Sequence, residues 1–267
     1  VRMMRLSQQI LLFTGCCCTM VFGLTSAAVK RFASLPFVRD AVTNPREVTS
    51  VLGFFYGVDY QDPTTPSILR KGDCVNKMAS FWYSSHKDYD KLCRSFSPVI
   101  REAGKSELVE DVWNASIDGK MAQLILTDQL SRNAFRGSDE AFQYDDIAVS
   151  IARNLSQKAL GNAEKEPMLE GELYGPYVCN IMVGLMHSEN LSDHEVCLEL
   201  LDWAVAEAPE MNDWWDQQRP FALDHKEVID RFGRYPHRNT KKGRENTPEE
   251  MKWLASDDLP TWAKSQS

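Results

Sequence analysis

From Phe142 through Ile147, Val149, Ile151 and Leu155 the apolar residues form one broad helical face, opened by Ser138 ahead of Asp139 and Glu140 and closed by Gly161. The same punctuation recurs along the chain. Asn44 and Pro45 read as a cap and first-turn pair opening REVTSVLGFFYG, which Gly57 closes. Ser192 with Glu195 and Thr247 with Glu250 read as capping boxes, the second reinforced by Pro248. His225, Ile229 and Phe232 have helical spacing that stops at Gly233. No Asn-Gly turn lies between alternating apolar runs, so hairpin strands are not expected. The pattern predicts an all-α protein with helices near residues 45–56, 77–96, 97–104, 106–115, 118–134, 138–160, 168–187, 192–208, 220–232 and 247–255. Short polar links between them make successive helices antiparallel hairpin neighbours. Tyr60 to Asp73, YQDPTTPSILRKGD, reads as an extended surface loop because of its prolines and glycine.

With 267 residues, 43% hydrophobic and 25% charged, the chain has the usage of one folded body able to bury a core. Its formal charge of −8 is unevenly spread: the first 31 residues hold Arg2, Arg5, Lys30 and Arg31 and no acid, leaving 26 basic against 38 acidic side chains elsewhere. A body so acidic is not expected to bind nucleic acid or an anionic membrane. Ile10 to Leu24, ILLFTGCCCTMVFGL, follows the basic start and runs into the small residues Thr25 to Ala28, a signal-peptide pattern. Read on to Val29, the same stretch reaches the length of a minimal membrane anchor, and the acid-free KRFASLPFVR suits an organelle transit segment. The expectation is a signal or targeting segment over residues 1–36, with Met3 or Met4 as candidate starts, and a single helical domain over 37–267. The protein would then be secreted or sent to an organelle, and would meet a membrane only through an uncleaved segment.

Cys16, Cys17 and Cys18 fall in the targeting segment. Cys74, Cys93, Cys179 and Cys197 show no CxxC spacing, and the helical, apolar settings of the last three favour free thiols over a redox pair or zinc knuckle. There is no phosphate-binding loop, GxGxxG, GxSxG or HExxH, so no motif asks for a cofactor or a metal.

Four segments concentrate polar groups beside apolar ones. In LILTDQLSRNAFRG, Asp128 and Arg132 are four apart on one helical face, Arg136 continues the row, and Gln129 and Asn133 follow near the helix end. Taken by itself, the segment is better explained by an intrahelical ion pair with cationic side chains near the C-terminal carbonyls. In GLMHSENLSDHE the apolar run Ile181 to Met186 carries His187 and Glu189 to the edge of the core, a pairing suited to a general base. From Arg231 to Arg244 there are six Lys or Arg residues and no acid, and Gly233 and Pro236 fix a turn presenting Arg234, His237, Arg238 and Asn239. Arginines on a fixed backbone suit bidentate carboxylate or phosphate contacts. FWYSSHKDYD and DWWDQQRPF supply Trp82, Tyr83, Trp214 and Trp215, which either line a pocket or fill the core.

In order, VLGFFYG, FWYSSHKDYD, LILTDQLSRNAFRG, GLMHSEN and RFGRYPHRN with GRENTPEE resemble a widespread, largely bacterial family, domain of unknown function family nine-twenty-four, from about Val48 to Leu254. The resemblance implies a tetratricopeptide-like stack of antiparallel helical hairpins; no internal repeat is visible in the sequence itself. Carried over from the family's patterns (roughly DFWFG, LDQFPRNxxRG, PFxHSE and RFGRFPHRN), its signature falls on Asp128, Gln129, Arg132, Asn133, Arg136, Gly137, His187, Ser188, Glu189, His225, Arg231, Phe232, Gly233, Arg234, Pro236, His237, Arg238 and Asn239. Departures are Gly53 and Phe55 for Asp and Trp, Ser131 for Pro, and Gly184 and Leu185 for Pro-Phe. The missing Asp weakens any mechanism that would use a carboxylate there.

The resemblance suggests that the arginine-rich turn, the HSE segment and the DQxxRN helix end converge. Their arginines would meet either Asp128 and Glu189, as a buried ionic lock, or an external anion on a small metabolite or peptide terminus. The expected ligand-binding set is Asp128, Arg132, Asn133, Arg136, His225, Arg231, Arg234, Arg238 and Asn239. In an enzyme, His187, Glu189 and His237 would do the proton chemistry. Two other readings stand beside this one. The first is a non-catalytic scaffold contacting a partner protein through Trp214 and Trp215; the second is a metal-dependent hydrolase-like enzyme using His187, Glu189 and His225 or His237.

Overall fold

Two helices that are buried on every side organise the rest. The chain, described by a computed structural model over residues 24–83, 85–161 and 169–264, forms α1 (Ser26–Ser34), α2 (Pro36–Thr43), α3 (Val48–Tyr56), α4 (Thr65–Lys71), α5 (Asp73–Trp82), α6 (Lys87–Cys93), α7 (Ser97–Gly104), α8 (Asp111–Asn114) and α9 (Ile117–Leu124). After α9 come α10 (Ser131–Ala134), α11 (Asp145–Ala159), α12 (Gly175–Met186), α13 (Leu191–Glu207), α14 (Asn212–Phe232), α15 (Pro248–Leu254) and α16 (Thr261–Lys264). No strand forms among the described residues; the one bridge pairs Ser116 with Glu170. The protein is all-α, as the patterning predicts, with α11, α12, α13 and α14 packed in sequence like successive hairpins.

The first buried helix is the run from α9 through α10, sealed from Met121 to Ser131. The second is α12, whose residues are all buried. Helices apolar all round belong in a core, and these two place Asp128 and His187 there. Gly184 makes the close packing possible: a Cβ there would lie 3.1 Å from Ala152 Cβ and 3.2 Å from Leu124 Cδ1. Aromatic side chains fill the N-terminal half of the core, with Phe32 5.4 Å from Phe54 and 4.8 Å from Phe81 between ring centroids. A second, smaller core joins Val228, Ile229 and Tyr235 to Leu259, Trp262 and Ala263. Cys74, Cys93, Cys179 and Cys197 are buried free thiols, as the helical, apolar settings of the last three suggest.

Several boundaries differ from the expected ones, each for a local reason. Asn44 ends α2, donating to Asp40 Oδ1 at 3.0 Å, and α3 starts only at Val48. The expected loop Tyr60–Asp73 contains α4, because Leu69 is buried and Pro66 occupies a first turn that needs no N–H. The predicted 77–96 helix breaks after Trp82, and α6 restarts where His86 Nδ1 accepts from Asp88 N. Asn190, in place of Ser192, caps α13. α14 begins at Asn212 and carries Pro220 inside it. Gly57, Gly233 and the Thr247–Glu250 capping box act as predicted.

The proposed signal core, Ile10 to Leu24, lies outside the described residues except for Leu24. The expected boundary after residue 36 falls inside α2, just past its first residue, and α1 contributes Val29 and Phe32 to the core. No helix of the described residues is long and apolar enough to cross a membrane.

Candidate functional site

Between α9 and α10 the helical ladder widens into a π-helical turn, Ile125–Leu130. Two hydroxyls support the widening: Thr127 Oγ1 donates to Gln123 O at 2.8 Å and Ser131 Oγ to Thr127 O at 2.7 Å. Such turns are rare and often carry functional residues. This one carries Asp128.

Asp128 is 1% exposed and surrounded by donors. His187 Nδ1 lies 2.6 Å from its Oδ1, Gln129 Nε2 donates to its Oδ2, and Arg132 Nη2 is 3.4 Å from Oδ1. Arg132 Nη2 also donates to Asp145 Oδ1 at 3.0 Å. From the arginine-rich turn, Arg238 Nη1 reaches Asp145 Oδ2 at 3.3 Å and the His187 carbonyl at 2.8 Å. Asp145, the first residue of α11, therefore bridges two buried guanidinium groups, and the three expected segments do converge.

The proton positions follow from these distances. Burial by itself raises the Asp128 carboxyl, but the charge and hydrogen bond of His187 and the charge of Arg132 outweigh it and hold the group below the ordinary carboxylate range. A carboxylate 2.6 Å from a bare Nδ1 would oppose two lone pairs, so Nδ1 carries the proton and donates to Asp128. Arg132 Nη2, 3.1 Å from the same nitrogen, is then a flanking cation and not a donor to it. Burial lowers the His187 pKa, Asp128 opposes the shift, and Arg132 and Arg238 reinforce it. The imidazole is neutral, with its Nε2 lone pair outward from the Asp128 bond; Nε2 makes no hydrogen bond among the described residues.

Beside this network lies an open cavity of about 230 Å³, lined by Phe142, Gln143, Arg238, Lys241 and Lys242, with Asp139 and Glu140 on its acidic side. Three cations surround the half-buried Phe142 ring: Arg132 at 4.9 Å, Lys241 at 5.0 Å and Arg238 at 6.0 Å from its centroid. Glu140 is engaged elsewhere, by Arg101 at 2.7 Å and Tyr144 Oη at 2.8 Å. Arg132 and Arg238 use only one nitrogen each on protein acceptors; Arg132 Nε and Nη1 and Arg238 Nε are buried without a partner.

The other expected site residues are placed elsewhere. Asn133 and Arg136 both turn to Asp90, at 2.9 Å each. Arg231 pairs with Glu249 at 2.9 Å, and Arg234 with Glu250 at 2.6 Å, binding the turn to α15. Asn239 Nδ2 donates to Asn246 Oδ1 at 2.7 Å. Glu189 does not reach His187: it receives Arg244 through both oxygens, at 2.6 and 2.8 Å, and the Tyr235 N–H at 3.0 Å. Those partners hold its pKa at about 2 against the opposing effect of burial. His225 is stacked 4.0 Å from Trp262, donates Nδ1 to Phe221 O at 2.8 Å, and is pushed down to about 3, chiefly by burial. His237 is buried between the Tyr235 and Trp262 rings, at 5.4 and 5.5 Å. Among the described residues no three His, Cys, Asp or Glu side chains gather as a metal would require. Trp214 and Trp215 belong to the core and offer no surface for the scaffold reading.

Asp90, Asp145, Phe142 and Lys241 escaped the sequence reading. Asp90 ends the FWYSSHKDYD segment, where the aromatics drew attention away from the acid, and Asp145 looks in sequence like an ordinary first-turn acid. At the departure from the family pattern, Gly53, a Cβ would lie 2.9 Å from Val58 O, so the backbone itself leaves no room for a side chain.

The fold is all-helical, and the DQxxRN, HSE and arginine-rich segments meet in a buried Arg–Asp–His network. The chain belongs to the bacterial family of proteins of unknown function DUF924, which matches residues 65–258. Among solved structures it is similar to a protein of unknown function from Agrobacterium tumefaciens, at 24% identity over 72% of this chain and 98% of that one, with a TM-score of 0.49. No curated protein matches it.

Proposed function

We propose that the cleft beside Phe142 binds a small anion, the carboxylate or phosphate of a metabolite or peptide terminus. The observation that carries this reading is the gathering of Arg132, Arg238 and Lys241 around the Phe142 ring, with Arg238 and Lys241 lining the open cavity. Three cations around one aromatic ring repel one another. A bound oxyanion relieves that repulsion, and Arg238 and Lys241 line the space where it would sit. Asp139 is the remaining acid on that wall, and it disfavours ligands bulky enough to press against it. The volume of about 230 Å³ suits a ligand of a few heavy atoms beyond its charged group.

The test is a thermal melt in phosphate-free buffer against added phosphate, sulfate, acetate and succinate, with chloride at equal ionic strength as control. A ligand at 100 times its Kd stabilises by about 2.7 kcal/mol, a shift of several degrees. Lys241→Gln should weaken that response. A response to chloride equal to that for phosphate, or one unaltered by Lys241→Gln, would remove the reading.

A further inference from the structure

We infer that His187 is a catalytic base at the edge of this cleft, accepting a proton at Nε2 from a water that attacks an anionic ester, while Asp128 holds its other nitrogen. The inference rests on the anion-binding reading only for the charge of the substrate; the base is argued from its own surroundings. Asp128 is fixed by the π-helical turn and by Gln129, so the carboxylate has one position from which to receive Nδ1–H. That contact, at 2.6 Å, leaves the Nε2 lone pair as the only basic site on the ring. Nε2 is not sealed in: His187 is nine-tenths buried, yet Nε2 is not among the buried atoms that lack a partner, and it has no protein partner. His194 offers a contrast, since its Nε2 is tied to Ser188 O at 2.9 Å. His187 is not itself part of the cavity lining; the link between the two is Arg238, which lines the cavity and donates to the carbonyl of His187.

The charged and titratable groups facing His187 are Asp128 and Arg132 from the central helix, Arg238 from the arginine-rich turn and, more distantly, His225 from α14. Asp128 favours an imidazolium; the two arginines oppose it and keep the ring neutral between turnovers. In the step proposed, a water O–H proton passes to Nε2 and the electron pair it leaves forms the new oxygen–carbon bond at the ester carbonyl. The carbonyl electrons move onto oxygen beside the guanidinium donors. They then return to expel the alcohol oxygen, which takes the proton from Nε2 as it leaves. Ester and water thus become acid and alcohol, with no other reactant.

The probes are mono-p-nitrophenyl succinate, which carries a carboxylate, and p-nitrophenyl acetate, which does not; nitrophenolate release by the full chain is followed against pH. The wild type should cleave the succinate ester faster than buffer, with a rate that rises through one ionisation below pH 6.5. His187→Gln should lose roughly 100-fold or more. Wild-type rates at the buffer level for both esters, or a His187→Gln variant as active as wild type, would overturn the proposal. Cleavage of both esters at equal rates, still dependent on His187, would keep the base and sink the anion reading. A measurement that needs no variant guards against misfolding: carbethoxylation by diethyl pyrocarbonate, mapped by peptide mass spectrometry. His187 should be modified at a rate comparable to the more exposed His86 while His194 stays intact; an unmodified His187 after complete reaction of His86 contradicts an open, basic Nε2.

Discussion

Replacing Asp145 by Asn tests the ionic network at the point where it is shared. The carboxylate meets Arg132 Nη2 at 3.0 Å and Arg238 Nη1 at 3.3 Å, and Asp145 is 4% exposed. Asn keeps the shape but removes the charge, and its amide would turn N–H groups toward at least one guanidinium. Arg132 would then keep only its 3.4 Å contact with Asp128, and Arg238 would lose its carboxylate partner. Removing one partner of a buried pair costs about 3–5 kcal/mol. For a chain of this size each kcal/mol lowers the melting temperature by about 2–4 °C, so the expected fall is roughly 6–20 °C. Calorimetric melts in phosphate-free buffer measure it, and added phosphate should restore part of the loss by supplying the missing charge. A fall of less than about 2 °C would show that the arginines do not depend on Asp145, and the description of the site would be wrong.

Other consequences follow from the same structure. Phe32 packs between Phe54 and Phe81, so Phe32→Ala should destabilise by about 3–5 kcal/mol in urea titrations, and a chain beginning at residue 37 should lose at least as much; equal stability of the two chain lengths would place α1 outside the folded unit. Glu189 has a folded pKa near 2 against an ordinary 4.5, so its contribution is present above about pH 4.5 and disappears as pH falls toward 2. That depression corresponds to on the order of 3 kcal/mol, and Glu189→Gln should flatten the fall in stability between pH 5 and 3; an unchanged slope would exclude the Arg244 pairing as its cause. Gly233 closes α14 at φ 66°, and a Cβ there meets nothing within 4 Å, so Gly233→Ala should cost about 1–2 kcal/mol from backbone strain alone; a neutral result would mean the turn can relax to negative φ.

The fold class was legible because caps and glycines act locally. Gly57, Gly233 and Thr247 with Glu250 each decide a helix end from neighbouring residues, and the structure keeps all three. α1 was not legible, because an apolar, acid-free N-terminal stretch has the same pattern whether it is a targeting segment or a helix packed on Phe54. At the site, the convergence of Asp128, His187 and Arg238 came from motif order, but the partner assignments did not. Glu189 stands two residues from His187 in sequence, yet Arg244 and the Tyr235 N–H hold it on the far side of the turn. The partner of His187 is Asp128, 59 positions away, and nothing in local spacing reports a contact made across two packed helices. Arg231 and Arg234, adjacent in the motif to Arg238, face α15 instead, because α14 ends at Gly233 and the turn sends successive side chains to opposite sides.

The most direct test of the anion cleft is an anomalous difference map from a crystal soaked in selenate, a tetrahedral oxyanion that can be located by its own scattering. The account predicts a peak over Phe142 within hydrogen-bonding distance of Arg238 and near Lys241. A map with selenate bound only at other surfaces, and none in this cleft, would contradict it.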